Sequence, residues 1–456
     1  MQRRSPFIMN KVLILVIDGC APEYITPEFA PNIHRLAKQY GFVKTVKAVV
    51  PTVTNVNHAS ILSGKFPSET GMVGNYYYNP VTGEEGYIEE KGFMKAETLL
   101  QAYRKRGLKT AFLTVKGKLL GVYGHAADIG ISVQTPDAAL LKEYGLPAPP
   151  AVSSLESSGW IVNAALAVIK KENPALVYCT TNDYGFHHFG PEATEAQLQI
   201  RQIDEAVAAI HEADTERQIY ITADHGMNQK HHLLDFQQLA DEAGLHIFCL
   251  APLKDRYKEN HVYQEGGILY LFLKKPEEKD ALLALIQSRP EIEAVMTNKE
   301  AAEKLHLPLH EIGDYVIFTA PDCALGELGG TATLVTDASR THGSLYEQEV
   351  PLLASIRLRL RRFISTARTL RRCCLSRYNL LDTRSANNGQ NGKRNGFCFL
   401  YRGRLLFHYF SHFSINHAVF AAVRPHEQDT FHRHRNFFDL NSGHCSCGFA
   451  DQRDVG

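Results

Sequence analysis

Three β-branched, apolar runs end directly in acidic residues: VLILVIDG at Asp18, ALVYCTTND at Asp183, and QIYITADHG at Asp224, which is followed by His225. A strand that is apolar along its whole length belongs inside a parallel sheet covered by helices on both faces. Such sheets bind ligands outside the carboxyl ends of their strands, so this pattern delivers three carboxylates to one edge. Converging carboxylates repel one another and need cations between them. With His187, His225 and His342 in the chain, the fitting cation is a divalent metal bound by oxygen and imidazole nitrogen. The expected fold class is α/β, with a mostly parallel central sheet.

The stretch Pro51 to Asn75, PTVTNVNHASILSGKFPSETGMVGN, reads as a strand-to-helix corner. Thr52, Thr54, Asn55 and Asn57 place hydroxyls and amides at a helix N-terminus, where unpaired N–H groups favour an anion such as a phosphoryl group. The same residue types also cap ordinary helices, so the corner gains meaning only from the carboxylates around it. Lys116 and Lys118, just past the strand LKTAFLTV, are open to two readings: solvated surface charges, or cationic partners for a second anionic group on a substrate. The Tyr-, Gly- and Asn-rich stretch 76–93 either lines a pocket or packs a surface loop.

Taken in this order, Asp18, Thr54, Asn75, Asp183-x-x-x-His187, Asp224-His225 and Thr341-His342-Gly343 resemble the alkaline phosphatase superfamily, in its nucleotide pyrophosphatase/phosphodiesterase branch. Within that branch the wording of PTVTNVN, the spacing of Lys116 and Lys118 in LTVKGKL, and RTHGSLYEQEVPLLA are similar to the phosphonoacetate hydrolases. The resemblance covers roughly residues 9 to 354. It implies an alkaline phosphatase-like fold with a small α+β cap. It further implies two Zn²⁺ ions, with Mn²⁺ or Fe²⁺ acceptable to the same donors. One ion would be held by Asp183, His187 and His342, the other by Asp18, Asp224 and His225 with Thr54 as a further ligand. Thr54 would be the nucleophile, passing through a phosphothreonine intermediate. Asn75 and the backbone N–H next to Thr54 would face the phosphoryl oxygens, and Lys116 and Lys118 the carboxylate of phosphonoacetate. The implied reaction is C–P bond hydrolysis to acetate and phosphate, part of phosphonate catabolism. Two rivals stand beside it: a phosphodiesterase or nucleotide pyrophosphatase on the same metals, with Tyr76 to Tyr78 forming a base slot, and a catalytically silent binding protein. His188 reads as an outer residue, and His231 and His232 as loop residues.

The expected organisation is an arm at 1–8, a metallohydrolase core at 9–232 and 331–354, a cap at 233–330, and a tail at 355–456. Gly124 to Ser157 reads as one long proline-containing loop. The formal charge of zero hides an asymmetry: residues 356–456 hold 17 Lys+Arg against 6 Asp+Glu, and the rest 32 against 43. An acidic body does not suggest nucleic-acid binding, though local cations can still capture a small anionic substrate such as the phosphonate that the resemblance implies. The run Val12–Ile17 is too short to span a membrane, and Cys20, Cys179, Cys249 and Cys323 are scattered singly, so a cytoplasmic protein without membrane association is expected. Oligomeric state is open, a homodimer being compatible. The tail is Arg-dominated and unlike the body. It reads as a disordered or frame-altered segment, and Cys445, Cys447 and His444 lack the second pair that a zinc knuckle needs.

Overall fold

The apolar runs are the inner strands of a seven-stranded sheet in the computed structural model, which describes residues 10–356. Among those residues sixteen strands, numbered along the chain, form four sheets. The large sheet comprises β1 (Val12–Val16), β2 (Gly41–Lys47), β5 (Thr110–Thr114), β6 (Ile129–Ser132), β7 (Leu176–Thr180), β8 (Gln218–Thr222) and β16 (Glu349–Ser355). Their order is β2-β16-β8-β1-β7-β5-β6. β8, β1, β7, β5 and β6 run parallel, and β16 is antiparallel to both its neighbours. Every residue of β1, β5, β7 and β8 is buried, as continuous apolar patterning requires of strands covered on both faces. Helices Pro31–Tyr40, Glu156–Glu172 and Thr194–Ala213 pack on this sheet and on one another.

Register decides where the chemistry emerges. Val16 pairs with Thr180 on one side and Thr222 on the other, and Thr180 pairs with Thr114. The four strand ends therefore lie in one row, and the residues just beyond them, Asp18, Asp183, Asp224 and Lys116, leave the sheet along a single edge.

The remaining strands build smaller sheets. β3 (Tyr76–Tyr78) and β4 (Glu85–Tyr87) are a hairpin; β9 (Asn228–Leu234), β14 (Cys323–Leu325) and β15 (Thr333–Thr341) form a three-stranded sheet. β10 (Ile247–Leu250), β11 (Ile268–Leu273), β12 (Ile292–Thr297) and β13 (Tyr315–Thr319) make a four-stranded antiparallel sheet with its own apolar core.

Gly124 to Ser157 is not one long loop. It contains β6 and a helix, Ala138–Tyr144. β6 is short and includes Gly130, and the helix buries no residue, so neither carries a readable apolar period. Local chemistry holds that helix instead: the Asp137 carboxylate accepts from the N–H groups of Ala139 and Leu140. His231 and His232 lie on β9, not in a loop. The 76–93 stretch is the β3/β4 hairpin, with Tyr76 packed edge-on against Tyr87 and Tyr78 against Phe248 and Phe272. The arm at 1–8 and the tail fall outside the described residues, apart from Ser355 and Ile356.

Helix Pro31–Tyr40 shows how distant parts are tied together. Ala30 at its N-cap has no side chain to offer, and Asp204 from another helix takes over. Its carboxylate accepts from the backbone N–H groups of Ile33 (2.7 Å) and Asn32 (3.1 Å) and from the Asn32 amide (2.8 Å). Asp204→Ala is expected to lower stability by about 2 kcal/mol in denaturant unfolding, with metal content unchanged. A loss under about 0.5 kcal/mol would mean that water replaces the cap.

Candidate metal centre

Asp18, Asp183 and Asp224 are at most 1% exposed. Buried carboxylates repel and resent desolvation, and their protonation reflects it. Burial, with Asp183 and Asp224 adding repulsion, pushes Asp18 from 3.8 up to about 8, and burial pushes Asp224 up to about 6. Burial also opposes ionisation of Asp183, yet the Lys116 ammonium holds it well below the usual carboxylate range. Lys116 is 3% exposed and bridges the groups: its Nζ lies 2.9 Å from Asp18 Oδ2 and 2.8 Å from Asp183 Oδ1. Burial disfavours its charge, but those carboxylates hold it well above the ordinary lysine value.

The imidazoles are pre-set as ligands. Nδ1 of His187, His225 and His342 lies 2.7, 2.9 and 2.6 Å from the backbone carbonyl oxygens of Arg340, Gly226 and Thr52. A carbonyl only accepts, so each Nδ1 must carry the proton, leaving the Nε2 lone pair for the site. Burial keeps His225 and, more strongly, His342 and His261 below the ordinary histidine value, hence neutral. The rings of His225 and His342 stack at 3.5 Å.

Backbone geometry supports the carboxylates. Gly19, at φ +74°, donates its N–H to Asp224 Oδ1, and a Cβ there would meet Asp183 Cβ at 3.1 Å. Thr54 opens the helix Thr54–Ser63, all of whose residues are buried, and its Oγ1 lies 3.4 Å from His225 Nε2. Asn57 braces the corner by bonding Val49, Pro51 and Val53.

Donor atoms of Asp183, His187, His261 and His342 lie within 4.8 Å of one another, as do those of Asp18, Asp224 and His225. Asp18 Oδ1, Asp224 Oδ2 and His342 Nε2 are buried without a hydrogen-bond partner. Orphaned acceptors beside neutral imidazoles are what a pair of divalent cations would satisfy, so the residues fit the metals that the sequence suggests.

The other expected residues sit at the rim. Lys118 pairs with Asp255, and the Tyr257 ring lies 5.8 and 5.5 Å from the ammoniums of Lys116 and Lys118. Asn75 donates to Asp255 Oδ2 (3.0 Å) and to the Leu253 carbonyl, and its Oδ1 accepts from Asn55 N–H (3.2 Å). His188 packs on Tyr184, and His231 pairs with Asp322 at the surface. Asp255, Tyr257, Asn260 and His261 were not foreseen. They lie on an irregular segment, 251–266, between β10 and β11, and Asn260 reaches Asp183 Oδ1 at 3.0 Å. Their only signal in the sequence is a histidine and acidic residues in a turn-rich run between two strands.

Residues 12–344 match the model of the type I phosphodiesterase / nucleotide pyrophosphatase family. The chain belongs to that family. Its members are metal-dependent hydrolases, and the fold places the chain in the alkaline phosphatase superfamily. The human ectonucleotide pyrophosphatase/phosphodiesterase family member 1 is 25% identical over 232 residues, covering 48% of this chain and 23% of that protein. The mouse bis(5'-adenosyl)-triphosphatase enpp4 is 24% identical over 256 residues, covering 53% of each. The chain thus spans a quarter to about half the length of these relatives. Among solved structures, phosphonoacetate hydrolase from Sinorhizobium meliloti in complex with phosphonoformate superposes with a TM-score of 0.69 at 28% identity. That match covers 78% of this chain and 92% of that one. The same enzyme has been solved in complex with phosphonoacetate. Human ectonucleotide pyrophosphatase / phosphodiesterase 5 shares the fold (TM-score 0.56, 19% identity, 75% and 87% coverage). Among the described residues no helix is long and apolar enough to cross a membrane.

The raised carboxylates give this family member a pH signature. A carboxyl raised in the folded state adds stability that is complete below its ordinary value and is lost as pH rises through the raised one. The metal-free chain should therefore lose stability between about pH 4 and about pH 8, the window set by Asp18 and Asp224. Metal binding needs the ionised carboxylates and should restore more at the upper end. Thermal melts of the chelator-treated chain at about pH 5.5 and pH 8, with and without Zn²⁺, check this; a metal-induced gain equal at both values would contradict it.

Proposed function

We propose that the chain is a di-zinc hydrolase that cleaves the C–P bond of phosphonoacetate, giving acetate and phosphate. The observation that supports this most is the company of Thr54: two clusters of metal-type donors, the Lys116 ammonium bridging them through Asp18 and Asp183, and the buried Lys118 ammonium beside Asp255.

In this reading Asp183, His187 and His342, with His261 beside them, would hold one ion, and Asp18, Asp224 and His225 with Thr54 would hold the other. Bound there, two divalent cations supply Lewis-acid charge to the phosphoryl oxygens and acidify a hydroxyl. The chain does the rest. Thr54 gives up its hydroxyl proton to solvent as Oγ attacks phosphorus and the P–C bond breaks, leaving a phosphothreonine that water then hydrolyses. Asn55 N–H and the Asn75 amide turn to the equatorial oxygens. The departing carbon takes the bonding electrons, and its carboxylate spreads them as an enediolate before a proton arrives. Lys116 and Lys118 stabilise that growing charge, each by on the order of 2–3 kcal/mol in a water-poor site. Residues 233–330 act as the cap, carrying segment 251–266 over the core formed by 9–232 and 331–354.

The family match favours a second reading, hydrolysis of phosphodiesters on the same metals. In that reading a base would have to bind elsewhere than between Tyr76 and Tyr78, whose rings are engaged in packing.

Phosphate release from phosphonoacetate by the Zn²⁺-loaded chain tests the proposal. Thr54→Ala should lower the rate by roughly 10³-fold or more, and Lys116→Ala or Lys118→Ala by about 30- to 150-fold. An unchanged rate in both lysine variants removes them from the mechanism. Cleavage of a p-nitrophenyl phosphodiester in place of phosphonoacetate selects the second reading.

A further inference from the structure

Asp255 is 4% exposed and lies in the turn-rich segment that crosses the metal centre from the four-stranded sheet. Its carboxylate is bound by the two groups assigned above to substrate. Oδ2 pairs with the Lys118 ammonium and accepts from the Asn75 amide at 3.0 Å. Oδ1 accepts from Tyr257 N–H at 3.2 Å. The segment that presents it is braced within itself, where Asp255 N–H donates to Gln264, and is tied to the core: Arg256 pairs with Glu89 at 2.7 Å, Tyr257 O–H donates to Gln134 at 2.5 Å, and Asn260 reaches Asp183. Asp255 is therefore a held carboxylate and not a chance surface contact.

The charges around it are unequal. Lys116 has two further carboxylates, Asp18 and Asp183, which cations at the two donor clusters would share. The only ion pair of Lys118 among the described residues is with Asp255. A substrate carboxylate approaching Lys118 meets an acceptor of its own chemical class already in place, carrying like charge.

We infer that Asp255 is a specificity-determining residue, an internal counter-anion that a substrate's second anionic group must displace from Lys118 and Asn75. The inference rests on the reading of the lysine pair as a carboxylate site. Asp255 weakens capture of a phosphonate that carries a second anionic group and leaves a phosphonate without one unaffected. It thereby sets the threshold of charge that a ligand must bring.

Asp255→Asn keeps the shape and an acceptor oxygen for Asn75 and Lys118 but removes the charge; Asp255→Glu keeps the charge. Calorimetric titration of the Zn²⁺-loaded full chain uses phosphonoacetate and, as a matched ligand lacking the carboxylate, methylphosphonate. Asp255→Asn should bind phosphonoacetate roughly tenfold more tightly than the parent. Methylphosphonate affinity should move by less than about twofold, and Asp255→Glu should behave as the parent. Unchanged or weaker phosphonoacetate binding in Asp255→Asn, parallel shifts for both ligands, or a parent that does not bind phosphonoacetate each overturns the inference. A parent that binds phosphonoacetate without releasing phosphate refutes the C–P hydrolase reading alone, since the Asp255 effect is read from binding.

Discussion

Three aspartates buried within a few ångströms of one another are the constraint that the rest of the structure answers. An isolated buried carboxylate is costly, and neighbours of like sign raise the cost. The parallel sheet makes the arrangement unavoidable, because register levels the ends of β1, β7 and β8 and leaves Asp18, Asp183 and Asp224 beside one another. What surrounds them is compensation: the Lys116 ammonium between two of them, Gly19 and His225 N–H groups on Asp224, and imidazoles turned by backbone carbonyls so that their lone pairs face inward. The compensation is incomplete, since one oxygen each on Asp18 and Asp224 and the Nε2 of His342 have no hydrogen-bond partner. That remainder is the physical case for divalent cations.

The late ligand loop is fixed by the same corner that carries the nucleophile. The Thr52 carbonyl accepts from His342 Nδ1–H, its Oγ1 accepts from Gly343 N–H, and its hydroxyl donates to the Ser344 carbonyl. Glu347, paired with the fully buried Lys230, holds Ser344 from the other side and accepts from Asn228. Thr54 and His342, far apart in sequence, thus share one rigid support.

Much of this was legible in the sequence because strong periodicity carried it. β1, β5, β7 and β8 are buried throughout and mostly apolar, and each delivers its polar residue two or three positions past its end. The late histidine was legible only through the resemblance, since nothing local to Thr341-His342-Gly343 shows that it returns to the sheet edge. The segment 251–266 was illegible for a physical reason. It has no regular structure, and Asp255, Asn260 and His261 reach the site only through the path of the four-stranded sheet. β6 and the helix Ala138–Tyr144 were missed because a short glycine-containing strand and a helix with no buried face leave no apolar period. β12, IEAVMT, is mostly exposed or half-exposed and shows no regular apolar alternation, so it is its pairing with β13 that marks it as a strand.

Elemental analysis of the purified full chain, loaded with Zn²⁺ and then desalted, tests the central claim most directly. Two equivalents per chain are expected, falling by about one in Asp18→Asn and, separately, by about one in His342→Ala. A content well below one equivalent that neither substitution changes would mean that the buried carboxylates are neutralised by Lys116 and protons alone, and the metal-centred account would fail.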